Sequence, residues 1–328
     1  MDMTSRGSRR TAVRILIVAV ALAAAPAVVW AQGPKNRVTS RSIPRLSDGR
    51  PDLQGVWDFR TITPLERPDA LGSKQQLSDE EAVRVEEQAA ADNADRAPRA
   101  GDPGTYNQVW FDRGTKVVGD KRTSLIVDPP TGRVPPLTPE GDKRKGVGGR
   151  RDQPAGPEDR NVAERCILGF NSGPPMEPRA YNNNVQLIQT PGYVVLLNEM
   201  VHNARIVPMD GRPHGNIRQW NGDSRGRWEG DTLVVETKHF YGPTSFSERQ
   251  GASSDLRLVE RFRRVDADTL LYEFTVTDEA TWAKPWTVAI PMTSSSELIY
   301  EYACHEANYA MEAMLKGARL EEKTAAKP

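Results

Sequence analysis

The sequence predicts a mainly β protein, an antiparallel barrel or sandwich, and three observations carry that prediction. The stretch from Gly222 to Thr237 reads as a hairpin: Arg227-Trp228 leads into Glu229-Gly230-Asp231, a tight turn with glycine at its centre, and Thr232 to Thr237 returns as a β-branched strand. Leu270, Tyr272, Phe274 and Val276 alternate with Leu271, Glu273, Thr275 and Thr277, the period of a half-buried strand. Beyond Cys166 a series of roughly eight to ten short apolar runs is joined by tight turns, with no glycine-rich strand-to-helix phosphate loop that would argue for a βαβ fold.

The elements before that series are sparse. Arg9, Arg10 and Arg14 precede an apolar run, Ile15 to Val29, and Val29-Trp30-Ala31 has small residues where a signal peptidase reads, so residues 1–31 are expected to be a signal peptide. Ser8-Arg9-Arg10 faintly resembles a twin-arginine signal, but Ala12 and Val13 stand where that signal prefers bulkier residues, which favours ordinary secretion. The expected location is periplasmic or secreted, with no membrane span after cleavage. Residues 32–165 form an irregular N-terminal region. Gln32 to Arg50 is an extended arm, Gly55-Val56-Trp57-Asp58-Phe59 a first strand, and Ser78 to Ala91 a helix that Ser78 can cap, with Asp79, Glu80 and Glu81 in its first turn. Asn93 to Gly104 reads as a loop and Tyr106, Trp110 and Phe111 as an aromatic cluster. Arg122 to Asp128 suits a strand stopped by Pro129-Pro130. Residues 139–161 are Gly, Pro and charge, expected to be a long exposed loop whose basic run, Lys143 to Arg151, is solvated.

Residues 166–328 carry the β-series: Val185 to Gln189, a Pro191-Gly192 turn, Tyr193 to Leu197, Val201 to Met209, the Gly222–Thr237 hairpin, Leu256 to Val265, Leu270 to Thr277, Trp286 to Met292 and Ile299 to Cys304. A helix over Ala303 to Gly317 closes the chain, with Tyr309, Met311 or Glu312, and Leu315 at helical spacing and Gly317 as its stop. The first strand is expected to belong to the same fold.

Charge excludes some partners. Lysine plus arginine equals aspartate plus glutamate at 44 each, and outside the signal no basic block stands apart from mixed charge, which argues against nucleic acid. Two cysteines, Cys166 and Cys304, in an oxidising compartment most simply form one disulfide; buried free thiols, or a catalytic thiolate at Cys304 beside His305, are the rival readings.

Several long stretches resemble motifs shared by a large group of secreted bacterial proteins of uncharacterised activity. They are Gly226 to Thr237 (GRWEGDTLVVET), Tyr300 to Met311 (YEYACHEANYAM), Pro51 to Trp57, Pro64-Leu65-Glu66-Arg67-Pro68 and Tyr181-Asn182-Asn183-Asn184. The resemblance spans nearly the whole mature chain and implies no mechanism. Where members of that group often have glycine after Cys-His-Glu, this chain has Ala307, an exchange expected to be neutral. Gly55-Val56-Trp57 also resembles the opening strand of lipocalin-type barrels, which makes the expected fold lipocalin-like.

Candidate chemistry gathers around four histidines, His202, His214, His239 and His305. His202, His214 or His305, oriented by Asp223, Glu229 or Glu306, is the candidate acid or base. Arg205, Arg225 and Arg227 are candidate anion holders, because a guanidinium fork pairs two oxygens at once; the competing reading is an ion-pair ladder of Arg225, Arg227, Glu229 and Asp231 across the hairpin. Trp220, Trp228 and Tyr309 are candidate ligand contacts, against core packing for the tryptophans. No HxH, HExxH or i,i+4 histidine pair is present, so the expectation is no cofactor and no metal, with ligands drawn from separate strands the alternative. Gly222-Asp223-Ser224-Arg225-Gly226 has the letters of a nucleophile elbow but precedes a hairpin where the elbow needs a helix. The expected function is binding of a small, partly apolar or anionic ligand. The alternatives are a cofactor-independent lyase, isomerase or hydrolase, and a structural envelope protein. Oligomeric state is not read from the sequence.

Overall fold

Ten strands of one antiparallel sheet organise the structure, a computed structural model that describes residues 42–94, 111–145, 153–241 and 251–325. All of these residues fall in one compact unit, Arg41–Pro328. The signal peptide, most of the N-terminal arm, Tyr106, Trp110 and residues 146–152 lie outside the described residues.

The strands are β1 (Gly55–Asp58), β2 (Ile126–Asp128), β3 (Asn184–Gln189), β4 (Tyr193–Asn198), β5 (Ala204–Pro208), β6 (Asp223–Glu229), β7 (Thr232–Lys238), β8 (Arg257–Arg264), β9 (Thr269–Thr277) and β10 (Trp286–Ser295). Their hydrogen-bonded order is β5-β4-β3-β1-β10-β9-β8-β7-β6, with β2 added beside β10. The first strand therefore sits mid-sheet between β3 and β10, and the N-terminal region shares the fold of the C-terminal half. Trp57 of β1 is buried, and its indole N–H donates to the Leu53 carbonyl at 2.8 Å.

Hairpin β6–β7 forms as expected, but Glu229 is paired with Thr232, so the turn is the two residues Gly230-Asp231 and Glu229 belongs to the strand; Arg225 lies opposite Glu236. Gly230 opens its two-residue turn at φ 59°, the positive value that primed hairpin turns require. In β9, Leu270, Tyr272, Phe274 and Val276 are buried and the residues between them are half-buried, as the alternation predicts.

The sheet folds back on itself. Six strand spacings separate β5 from β8, about 29 Å in a flat sheet at the usual interval. Yet Arg205 of β5 touches Glu260 of β8. Inward residues of nine strands, among them Trp57, Phe262, Phe274 and Trp286, share one apolar core with Trp282. The hydrogen-bonded path stays open between β5 and β6, which lie against each other through side chains. Gly226 makes that approach feasible, since a Cβ there would stand 2.3 Å from Met209 Sδ and 2.9 Å from Val207 Cγ1.

Helix α1 (Asp79–Asp92) begins with a full capping box: Glu81 N–H donates to Ser78 Oγ and Ser78 N–H to the Glu81 carboxylate. Four expectations need correction. Residues 139–161 are not a featureless loop. Helix α2 (Pro139–Arg144) forms because Thr138 Oγ1 accepts the Gly141 N–H and Pro139 suits the first turn. Arg144, expected to be solvated, binds the carbonyls of Gly251 and Ala280. Only Ala204–Pro208 of the Val201–Met209 run is strand; Met200–His202 is a 3-10 turn, with Val201 and His202 at φ 51° and 49°. Residues 299–304 are not a strand but a strap laid over the sheet. The closing helix α3 spans Ala310–Ala325, later and longer than expected, and Gly317 lies within it. Met311, Met314, Leu315 and Ala318 give that helix its buried and half-buried line, at helical spacing.

Candidate ligand-binding site

The sequence-predicted residues separate into three places. The first is the core. Arg205 donates to both carboxylate oxygens of Glu260, at 2.9 Å to Oε1, and Tyr272 Oη donates to the same Oε1 at 2.8 Å. Met176 N–H donates to Tyr272 Oη at 3.1 Å and completes a buried chain of four groups. Burial and the neighbouring Glu260 carboxylate push the Tyr272 phenol well above its ordinary range. Arg205 is thereby committed to a fixed partner and cannot be the anion holder.

The second place is the outer face of β6–β8. Asp223 accepts from Gly215 N–H at 2.7 Å and pairs with Arg225. Burial works to raise the Asp223 carboxyl, but the Gly215 N–H and Arg225 outweigh it and hold it below the ordinary carboxylate range. His214 sits over this pair, Nδ1 3.4 Å from Asp223 Oδ2 and Nε2 3.8 Å from Glu236 Oε1, with the His239 ring centroid 6.0 Å away. Glu236 also pairs with Lys238 at 2.5 Å and Arg257 at 3.0 Å; although burial opposes ionisation, these cations pull its pKa down to about 2. Arg227 and Arg261 share Glu229 at 2.6 and 2.8 Å, and Asp231 pairs with Arg45 at 2.5 Å. The pairs of Arg225, Arg227, Glu229 and Asp231 thus run along β6 or reach β8 and the N-terminal segment, and not across the hairpin as the ladder reading expected. Trp228 packs on the core beneath Arg50, and Trp220 lies between Tyr241 and the Arg165 guanidinium. Ser224 is a buried strand residue bonded to Thr237 Oγ1 at 2.9 Å, so no nucleophile elbow forms.

The third place is the C-terminal strap. Cys166 and Cys304 form a disulfide. Tyr302 N–H donates to His202 Nε2 at 2.9 Å. Tyr300 N–H donates to Glu199, and Tyr302 stacks on Tyr181 at 6.2 Å. His305 and Glu306 precede the last helix instead of starting it, and Tyr309 is largely exposed. Among the described residues, five of the seven non-glycine residues with positive φ flank this docking: Cys166, Asn182, Val201, His202 and Ala307. Ala307 at φ 55° holds a conformation that suits glycine, so the alanine is a local strain and not a neutral exchange. Among the described residues no group of three or more His, Cys, Asp or Glu side chains is placed to hold a metal ion.

A cleft of about 440 Å³ lies apart from these three places. Its floor is Leu125 and Ile290, both part of or adjoining the buried core, and its apolar walls include Ile62, Leu65 and Pro178. Its charged residues are Arg113, Glu177 and Arg179. Two of the segments singled out in the sequence build it. Pro64 and Leu65 are fixed by backbone bonds to Leu125 and Ile126, and the buried Arg67 donates to Thr123 Oγ1 at 2.8 Å. Asn183, fully buried, accepts from Arg179 N–H at 2.8 Å and donates to the carbonyls of Arg179 and Asp112 at 3.0 Å, which holds the 177–180 wall in place. Glu177 is paired with Arg179 at 2.5 Å. Arg113 has no carboxylate partner among the described residues, and its guanidinium rests 4.7 Å from the Phe111 ring centroid.

Sequence reasoning missed Arg113, Glu177 and Arg179. They come from irregular segments without periodicity, and only the fold brings them together. No family model, curated protein or solved structure matches the chain.

Proposed function

We propose that the protein binds a small, partly apolar and anionic molecule in the Arg113–Arg179 cleft. The observation that carries this reading is an apolar floor of Leu125 and Ile290 beneath a guanidinium with no carboxylate partner among the described residues. Clefts of this size, mainly apolar with a few polar groups, are the usual form of small-molecule sites. The Trp- and Arg-lined pocket expected from the sequence gives way to this one, since Arg205, Trp220 and Trp228 are engaged within the protein.

The acid–base alternative narrows to His214 with Asp223 or His305 with Glu306, because His202 is occupied by the strap and Arg205 by Glu260. Native mass spectrometry of protein purified without refolding tests the binding reading. The expected result is a retained organic molecule that is lost in Ala180→Trp, which fills the cleft from its wall. Protein that carries no such molecule and gains none from an extract of its source cells overturns the reading.

A further inference from the structure

We infer that the ligand is an aliphatic monocarboxylate, its carboxylate between Arg113 and Arg179 and its chain on the Leu125–Ile290 floor. This rests on the binding reading above and narrows it by charge and by shape. Arg113 and Arg179 against Glu177 leave one uncompensated positive charge among the lining residues. The nearby Asp112 shares Arg60 with Asp58, so the surround as a whole is neutral and the charge on offer is local, the Arg113 guanidinium that no carboxylate pairs among the described residues. One such guanidinium matches one anionic group, and its fork holds a carboxylate through two oxygens.

The remaining polar groups narrow the class further. Thr61 Oγ1 donates to the Lys116 carbonyl at 2.9 Å, and Thr63 Oγ1 accepts from Val118 N–H at 3.0 Å. Thr61 thus spends its proton on the 116–118 segment, Thr63 accepts from it and is 3% exposed, and the described lining has no Asn, Gln, Ser, Tyr or His. A sugar or a nucleotide would bring many hydroxyls or several phosphate charges and find few partners here, a cost that buried polar groups make steep. The described lining also has no aromatic ring, so a flat aromatic body gains no stacking. Leucine, isoleucine, proline and alanine side chains fit an alkyl chain or an alicyclic ring.

Isothermal titration calorimetry of the full chain with sodium octanoate and with octan-1-ol separates the arguments. Octanoate is expected to bind saturably, and octan-1-ol about tenfold more weakly, the size of one charge-assisted contact at a partly open site. Arg113→Gln should raise the octanoate Kd about tenfold, towards that of octan-1-ol, and leave the alcohol unchanged. Arg179→Gln should weaken octanoate at least as much, because it also frees the Glu177 carboxylate, which repels the anion. Ala180→Trp should abolish both heats while circular dichroism shows a folded protein. If octan-1-ol binds as tightly as octanoate, or Arg113→Gln leaves the octanoate Kd unchanged, the carboxylate class is wrong and the binding site stands. If neither compound binds, the class is again overturned; a retained molecule in the mass spectrum then preserves the binding reading, and an empty protein removes both.

Discussion

The core and the outer face of β6–β8 both hold ion pairs, and strand β8 supplies charges to each. Glu260 points inward between Leu258 and Phe262, is 0% exposed, and meets only Arg205 and Tyr272. Arg257 and Arg261 point outward from the same strand and share Glu236 and Glu229 with other cations at the surface. Chemically the pairs are alike. Water separates them in energy: an exposed pair is screened and loses little when broken, whereas a buried charge left alone has no solvent to replace its partner.

The largest effect should therefore come from Glu260→Gln, which leaves Arg205 buried opposite a neutral amide. Urea denaturation should show a loss of about 3–5 kcal/mol; a loss under about 1 kcal/mol would mean that water reaches the pair and the contrast fails. Next comes Glu236→Gln on the outer face, with a loss at neutral pH of about 1 kcal/mol after solvent screening. Its sign is fixed by linkage. The folded pKa, about 2, lies below the ordinary 4.5, so the carboxylate's contribution is fully present above pH 4.5 and is lost as pH falls through about 2. The stability gap between wild type and Glu236→Gln should close across that window, and a gap that stays constant to pH 2 would remove Glu236 as its source. An uncharged control gives a smaller effect of opposite sign: Ala307→Gly relieves a positive φ and should stabilise by about 0.5–1 kcal/mol, read as a raised melting temperature. Smallest of all, Arg227→Ala should leave the urea midpoint unchanged within error, and a clear shift would show that the exposed Glu229 cluster acts as a network.

The same contrast explains what the sequence made legible. The β6–β7 hairpin, the β9 alternation, the Ser78 capping box and the Cys166–Cys304 disulfide all depend on local chemistry or simple pairing, and each is present. The charge density of Asp223 to Asp231 was equally visible, and it marks surface ion pairs along β6. Glu260 had a readable signal that went unused: a carboxylate flanked at two residues on either side by Leu258 and Phe262 is in inward register. Its partner could not be read, because Arg205 reaches it only through the curl of the sheet. Val201 and His202 look like strand residues, and it is the docked strap and the turn at Met200 that hold them at positive φ. The cleft was least legible. Thr61 to Leu65, Arg113, Glu177 to Arg179 and Ile290 are brought together from four separated parts of the chain, three of them without periodicity.

The open seam between β5 and β6 has a consequence for the protein's behaviour in a crowd. A sheet edge is a row of unused backbone donors and acceptors, and such a row invites strands from other molecules. Here the two edges lie against each other, packed at Gly226 against Val207 and Met209 and clasped at one end by Asn203 and Asn221, whose side-chain amides bond reciprocally at 2.7 and 3.3 Å. Each edge is the other's cover. Because no ladder bond locks them, their separation depends on a missing side chain and one pair of amides. A bulky residue at position 226 would uncover two adhesive edges at once, each free to take up a strand from another molecule.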